Sequence, residues 1–235
     1  MNIKNRILIA LLFISHVALS KELFFKSYDW EAAPNYKVKE GTTEDLIALK
    51  DKTVTECAFE ERNLVEYLLE HKILWLNSDD AIEEYNKIYL PFSSRAELQV
   101  NKARVITTDG KLVNLDKSKI LTAKDEESGR TYKYFALEGI TKGSFIEYMY
   151  VVKRPPSYTG KRVNLQAAFN KNTIEFDLFS PSNLVFAFKS FNGLSEVQKD
   201  TVTSDKLHWK LHVTNMEKLE SEYQAAYEAS KKFLV

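Results

Sequence analysis

Residues 96–115, AELQVNKARVITTDGKLVNL, decide the fold class of this chain. Apolar and polar residues alternate from 96 to 107, which is typical of a strand with one buried face. Asp109 and Gly110 follow, a pair that tolerates the positive φ angles of a tight hairpin turn. Residues 111–115 alternate again and predict the returning strand.

The same period of two runs through most of the chain. We predict further strands at residues 64–77, 131–137, 145–152, 162–169, 173–179, 184–191 and 207–213. Residues 78–84 begin with Ser and Asp, good helix N-caps, and predict a short helix. Residues 216–232 contain strong helix formers, so helix and extended chain both stay open there, and 233–235 look like the start of a strand. These patterns predict a mostly all-β fold: an antiparallel β-sandwich with one or two short helices.

The first twenty residues, MNIKNRILIALLFISHVALS, have the pattern of a secretory signal peptide helix. A positively charged start precedes an apolar stretch at 7–14, and Ala18 and Ser20 place small residues before a cleavage site at Lys21. The apolar stretch is shorter than the roughly 20 residues of a spanning helix. We predict a periplasmic, cell-surface or secreted protein that meets the membrane only through this peptide before cleavage.

We divide the chain into three parts: the signal peptide at 1–20, an N-terminal extension that packs on the sandwich at 21–60, and the β-sandwich domain at 61–235. There are 33 basic and 33 acidic side chains, and loss of residues 1–20 would remove two basic and no acidic ones, which leaves a net charge of −2. This balance argues against a nucleic-acid partner, which needs clustered positive charge. The single cysteine cannot form an internal disulfide, so stability has to come from a hydrophobic core.

Few residues suggest catalysis. Cys57 is the candidate nucleophile, but no helix start follows it to lower its thiol pKa, so we interpret it as a half-buried strand residue. Outside the signal peptide the histidines are His71, His208 and His212. His208 and His212 lie about 13 Å apart on a strand, too far for one metal ion. We therefore predict no catalytic, cofactor-binding or metal-binding residue, and no cofactor.

Acidic and aromatic residues leave two further possibilities. Adjacent acids at 60–61, 79–80 and 125–127 are typical of solvated loops, whereas a glycosidase needs two carboxylates across a cleft. Ten aromatic residues could build a sugar- or peptide-binding face. Most lie on predicted strands, so core packing is the default expectation for them: Tyr28, Trp30, Tyr36, Trp75, Tyr85, Tyr89, Tyr148, Tyr150, Tyr158 and Trp209.

The chain contains a series of short motifs: NKIYLP (86–91), KARV (102–105), DGKLV (109–113), ALEG (136–139), KGSFIEY (142–148), FSPSNLVF (179–186), NGL (192–194) and TNMEKLESE (214–222). In this order and spacing they resemble the domain of unknown function 3857, found in exported bacterial proteins and commonly followed by a transglutaminase-like core. Upstream, YDW (28–30) and LIALKD (46–51) are similar to the start of such proteins. The resemblance covers nearly the whole chain after residue 20.

The resemblance implies a large β-sandwich module without an assigned activity. In the family, chemistry would come from a following core with Cys, His and Asp. This sequence stops at Val235, where that core would begin, and Cys57 does not match its cysteine, so no catalytic residue carries over. We expect a non-catalytic interaction or scaffolding module whose partner is a protein, a peptide or a glycan. Two alternatives stay open: a fragment of a transglutaminase- or cysteine-peptidase-like enzyme whose core is supplied in cis or in trans, and a carbohydrate-binding module.

Overall fold

The structure, a computed structural model, describes residues 22–91, 95–116, 120–124, 131–157, 160–200, 206–220 and 226–235. The strands are β1 (Leu46–Glu60), β2 (Asn63–Leu76), β3 (Lys87–Leu90), β4 (Glu97–Ile106), β5 (Leu112–Asn114), β6 (Ile120–Lys124), β7 (Thr131–Ala136), β8 (Ser144–Arg154), β9 (Val163–Asn164), β10 (Asn170–Pro181), β11 (Ser190–Phe191), β12 (Gln198–Asp200), β13 (Lys206–Met216) and β14 (Phe233–Leu234). The helices are α1 (Phe24–Ser27), α2 (Asp79–Tyr85) and α3 (Tyr227–Ser230). The predicted signal peptide, the acids at 125–127 and Tyr158 lie outside the described residues.

Eight strands form one large sheet in the order β12-β13-β10-β1-β2-β8-β4-β5. The mostly-β, sandwich-like fold is confirmed. Neighbouring strands of this sheet are antiparallel except β1 and β10, which are parallel. The expectation of a purely antiparallel sheet is therefore wrong at this pair. Parallel neighbours need a long connection, and here the chain reaches the far side of β1 only after it has formed β2 to β9.

The long hairpin of β1 and β2 lies at the centre of the large sheet. Its residues pair from Leu46 with Leu76 to Glu60 with Asn63, and Glu61 in the turn has a φ of 56°. The boundary that we placed at residue 60 thus divides two strands that pair along their whole length. Residues 46–60 belong to the sheet itself, because β1 has a hydrogen-bonded neighbour on each side.

A second layer of two small sheets covers one face of the large sheet, which we call the front face. Successive side chains of a strand point to opposite faces, and Thr53, Thr55 and Cys57 of β1 point to this one. The sheet β3-β7-β6 and α2 pack over one part of it around the fully buried Phe135. The sheet β11-β14-β9 packs over another part around Leu234. The hydrophobic core of the sandwich therefore has two halves.

The opposite face of the large sheet, the back face, is crossed by the chain that precedes β1. Phe24, Phe25 and Trp30 pack there against apolar residues of β1, β2 and β8. Between residues 22 and 45, the described part of this segment, the four-residue α1 is the only regular structure. Its position depends on side-chain contacts with the sheet rather than on backbone pairing.

Local sequence signals predicted two elements well. The helix expected at 78–84 is confirmed as α2, and the Ser78 hydroxyl caps it by accepting a hydrogen bond of 3.1 Å from the backbone N–H of Ala81. The hairpin expected around Asp109 is confirmed by the pairing of β4 with β5, with Gly110 at a φ of 82°. Both signals act within a few residues, so they do not depend on the rest of the fold.

Strand predictions fail at 162–169 and 184–191, where only the two-residue strands β9 and β11 form. The alternating apolar residues there are mostly half-buried and do not form a regular ladder. Phe186 and Phe188 contact the ring of Trp209 on the large sheet, with centroids 5.8 and 6.1 Å apart. Alternation in this stretch reflects side-chain burial over the sheet and not strand pairing.

The tail combines extended and helical structure. β13 continues to Met216, α3 is only four residues long, and 221–225 lie outside the described residues. The possibility of a helix through the whole of 216–232 is therefore wrong for the first residues of this range, where β13 ends and no helix begins. The strand expected from 233 is confirmed as β14, which pairs with β9 on one side and β11 on the other.

Candidate functional site

A cleft of about 410 Å³ lies on the front face beside the sheet β11-β14-β9. Its floor consists of alternate residues of the central hairpin: Asp51, Thr53, Thr55, Cys57, Glu66, Leu68, Glu70 and Lys72. Its walls include Lys161 before β9, Val163 and Leu234 on the sheet β11-β14-β9, and Phe186 and Phe188 before β11. Protein pockets that bind small ligands typically measure about 300–1,000 Å³.

The floor carries paired charges in a largely buried setting. Lys171 Nζ donates to a carboxylate oxygen of Asp51 at 2.5 Å. Arg154 donates to Glu66 from Nε at 2.7 Å and from Nη2 at 2.5 Å. Burial by itself raises the Asp51 pKa, but the ammonium groups of Lys72 and Lys171 outweigh it and hold this pKa below its usual value. Asp51 is therefore ionised at neutral pH.

Lys72 is held less tightly than these pairs. Its Nζ lies 3.6 Å from a carboxylate oxygen of Asp51 and 3.6 Å from one of Glu70, beyond ordinary hydrogen-bond distance. Burial disfavours its ammonium, but the neighbouring Tyr148, Asp51 and Glu70 outweigh that effect and raise its pKa. Lys72 is therefore charged at neutral pH.

Cys57 lies in the floor of this cleft, but it is not suited to nucleophilic attack. It is only 3% exposed. Burial, with the nearby carboxylates of Glu66 and Glu56, raises its pKa to about 12. A thiol with this pKa is protonated at neutral pH, and only the thiolate is nucleophilic. Cys57 is a strand residue, as we expected, but it is buried where we expected a half-buried position.

The histidines do not lie in the cleft. Lys52 pairs with His71 across the hairpin, and both side chains point to the back face. Cys57 points to the front face, and the residue opposite it on β2 is Glu66, five positions before His71. His208 bonds Asp177 at 2.7 Å, and His212 is exposed on the same strand. Among the residues that the structure describes, no three His, Cys, Asp or Glu side chains come together in a way that could hold a metal ion.

A buried polar network on the back face holds the N-terminal segment. Glu147 is fully buried, and its Oε1 accepts a hydrogen bond of 2.8 Å from the Tyr36 hydroxyl and lies 2.9 Å from His71 Nε2. Its Oε2 accepts from Arg104 Nε at 2.5 Å. The other ring nitrogen of His71 lies 2.7 Å from the Tyr28 hydroxyl. The network thus joins three strands to residues 28–36.

Arg104 extends the network to the backbone of the segment. It donates to the Glu31 carbonyl at 2.6 Å and stacks on the Trp30 ring, 4.4 Å from its centroid. Burial raises the Glu147 pKa, but hydrogen bonds from His71 and Tyr36 and the charge of Arg104 together lower it below its usual value. Sequence reasoning missed this network, although a lone Glu or His in an apolar strand was a signal for it.

Most of the ten aromatic residues are in the core or half-buried. Trp75, Tyr148, Tyr150 and Trp209 are buried, and Tyr28, Trp30, Tyr36 and Tyr85 are half-buried. Tyr89 differs, because 58% of it is exposed. It lies on the outer face of the sheet β3-β7-β6 beside Tyr132 and Tyr134, with ring centroids 6.4 and 5.5 Å away.

None of the helices in the described parts of the chain has the length and apolar character needed to cross a bilayer. This finding concerns the described residues alone, and the predicted signal peptide is outside them.

Comparisons with known proteins support the family resemblance. A model of DUF3857, a domain of unknown function with a solved structure, matches residues 69–220. A crystal structure of a "putative protease" from Parabacteroides distasonis ATCC 8503 superposes with a TM-score of 0.68 at 13% sequence identity. The match covers 81% of this chain and 39% of that chain, so this chain spans well under half of that protein's length. At this identity the likeness shows a shared fold. A search of curated proteins found no match.

Proposed function

We propose, from the premise that this chain belongs to the DUF3857 family, that it is a non-catalytic module which binds a ligand in the cleft of the front face. The observation that supports this most directly is a set of charged side chains on the floor of a cleft with apolar walls. Charged side chains usually lie at the surface, whereas here Lys171 is buried, Asp51 and Lys72 are half-buried, and all three line one cavity. A cavity with apolar walls and a few convergent polar groups is the usual form of a binding site.

The side chains in the cleft favour binding over covalent catalysis. A nucleophile needs a general base within hydrogen-bond distance. The Cys57 thiol is protonated, and His71 is on the other face of the sheet with both ring nitrogens engaged. The described residues therefore supply no activated nucleophile here.

The shape of the cleft favours an elongated ligand. Glu70 and Lys72 also line a neighbouring depression that continues past Tyr85 and Tyr150. The two spaces are adjacent, since they share these two residues. Hydroxyl and charged groups on the floor of the cleft can bond the amides of an extended chain, while apolar walls hold side chains. We propose a peptide segment of a partner protein as the ligand.

Binding can be tested with a set of uncharged N-acetyl tripeptide amides that have apolar side chains. Amide NMR signals of Thr53, Thr55 and Leu68 should shift on addition of the peptides. Thr55→Trp, which fills the cleft, should abolish the shifts. Thr214→Trp, the same change at an exposed position on β13, should leave them intact. Shifts that survive Thr55→Trp, or no shifts in the cleft with any peptide, would contradict the proposal.

The proposed setting is outside the cytoplasm, in the periplasm or at the cell surface. The pattern of residues 1–20 supports it. Fractionation of producing cells should find the protein outside the cytoplasm and shorter by the signal peptide. A full-length protein in the cytoplasmic fraction would contradict this.

A second candidate is a non-catalytic part that works beside a transglutaminase-like core. The likeness to a longer protein described as a protease, matched over 39% of its length, favours this possibility. The DNA after codon 235 tests the cis form. A reading frame with a Cys, His and Asp core would support it, and a stop followed by an unrelated gene would exclude it.

A third candidate, a carbohydrate-binding module, is favoured by the exposed tyrosines on the sheet β3-β7-β6. The rings of Tyr89, Tyr132 and Tyr134 share its outer face, because Tyr89 pairs with Tyr134 and Tyr132 lies two residues before Tyr134 on the same strand. Exposed aromatic rings can stack on sugar rings. Retention on a polysaccharide column that is lost in Tyr89→Ala would support this function, and no retention on any tested glycan would exclude it.

A further inference from the structure

We infer that the cleft recognises the C-terminal carboxylate of a peptide through Lys161, with the last side chain against the apolar wall. The inference rests on the proposed function and adds the chemistry of the ligand. Three observations lead to it: the pairing of charges in the cleft, the apolar residues next to Lys161, and the polar floor.

The acidic groups of the cleft already have cationic partners. Asp51 is bonded by Lys171, and Glu66 by two nitrogens of Arg154. Glu70 lies 3.6 Å from Lys72. The carboxylate of Glu175 is on the back face, where it accepts a hydrogen bond of 2.7 Å from Lys52, so it adds no free acid to the cleft. Each of these carboxylates is therefore neutralised within the protein.

One lysine of the cleft has no such partner. Among the described residues, no carboxylate lies within 4 Å of the Lys161 ammonium, and no hydrogen bond to it is formed. Arg162, its neighbour, is engaged with the Glu228 carbonyl and the Phe233 ring. Although Lys161 is exposed as a residue, burial of its ammonium and the nearby Arg154 lower its pKa, only partly opposed by Glu66. The positive charge at this wall lacks an acceptor, which a ligand carboxylate would supply.

The apolar wall lies directly beside this charge. Val163, two residues after Lys161, pairs with Leu234, and Phe186 and Phe188 complete the wall. A carboxylate at Lys161 would thus place the group attached to it against apolar side chains. The floor is polar, with the hydroxyls of two threonines and the paired charges, which suits peptide amides better than an alkyl chain. These features favour a peptide terminus with an apolar last residue.

The test compares N-acetyl-Ala-Ala-Phe as the free acid and as the amide, by calorimetric titration of the purified protein. The acid should bind about tenfold more tightly than the amide, because a charge-assisted hydrogen bond is stronger than a neutral one. Lys161→Met should reduce the two affinities to the same value. Lys142→Met, which removes an exposed lysine outside the cleft, should preserve the preference. If Lys161→Met does not fold, Lys161→Gln takes its place as the test variant.

The outcomes separate this inference from the proposed function. Equal affinity for acid and amide in the unchanged protein, with cleft signals still shifting, would overturn the inference and leave the binding function. No binding of either peptide would overturn both. Tighter binding of dodecanoate than of the acid peptide would identify a lipid-like ligand and overturn the peptide assignment. A preference for the acid that survives Lys161→Met and Lys161→Gln would overturn the role of Lys161.

Discussion

Replacement of Glu147 with glutamine tests whether the buried network on the back face stabilises the fold. The substitution keeps the shape of the side chain and removes its charge. Arg104, which is only 3% exposed, would keep its positive charge without the carboxylate that now accepts from its Nε at 2.5 Å. Tyr36 and His71 would face an amide where they now bond a carboxylate.

The burial of both Glu147 and Arg104 sets the expected loss of stability in Glu147→Gln. Removal of one partner from a buried ion pair costs about 3–5 kcal/mol, since it leaves an uncompensated charge. In a chain of this size a loss of about 1 kcal/mol lowers Tm by about 2–4 °C, so we expect Glu147→Gln to lower it by roughly 6–20 °C. If Arg104→Met is added, the uncompensated charge disappears. The double variant should therefore lose less stability than the sum of the two single variants.

Denaturant unfolding followed by tryptophan fluorescence gives the free energy of unfolding of each variant. Asp79→Asn is the control, because it breaks an exposed ion pair with Lys142. The side chain of Asp79 is 83% exposed and that of Lys142 is 53% exposed. Exposed pairs of this kind contribute about 1 kcal/mol or less. A loss below about 1 kcal/mol in Glu147→Gln, or strict additivity with Arg104→Met, would refute the stabilising role of the network.

Three further predictions concern pH, the thiol and the core. The folded-state pKa values of Glu147 and Asp51 are below their usual values of 4.5 and 3.8, so their stabilisation is present above these values and is lost as pH falls through the folded pKa. The denaturant concentration at the midpoint of unfolding should decrease as the pH falls below about 4.5, and it should decrease less steeply in Glu147→Gln. A midpoint that does not change with pH in this range would be contrary to expectation. Cys57 should react with a thiol reagent slowly in the folded protein at neutral pH and at once when unfolded, whereas rapid labelling of the folded protein would show an accessible thiolate. Phe135→Ala should cost about 3–5 kcal/mol in denaturant unfolding, and Val185→Ala, at a position 70% exposed, about 0.5 kcal/mol or less; similar losses at both would contradict the assigned core.

The proposed binding site was only partly visible in the sequence. Cys57 stood out as a rare residue type, and the structure places it in the floor of the cleft as a protonated thiol. Lys161 and Lys171 had no distinctive local pattern. Lys171 bonds Asp51, which is more than a hundred positions away in β1, and Lys161 lies beside an apolar wall that later parts of the chain complete. A cleft between separate sheets is a property of how those sheets pack, so local patterns could not locate it.

The sequence by itself determined those features that depend on neighbouring residues. Alternation identified β2, β4, β8 and β13, an Asp-Gly pair identified the β4–β5 turn, and a serine cap identified α2. It also supported the family to which the chain belongs, because the order of short motifs is itself a property of the sequence.

Only the tertiary structure decided which strands are neighbours and which faces their side chains share. It placed β1 parallel to β10, although the two are separated by more than a hundred residues. It brought Tyr28, His71, Arg104 and Glu147 into one buried network, and it placed a charged strip of the central hairpin in a cleft beside the sheet β11-β14-β9. The physical reason is that burial and charge pairing act between residues that meet only when the sheets pack, whereas alternation and capping act along the chain.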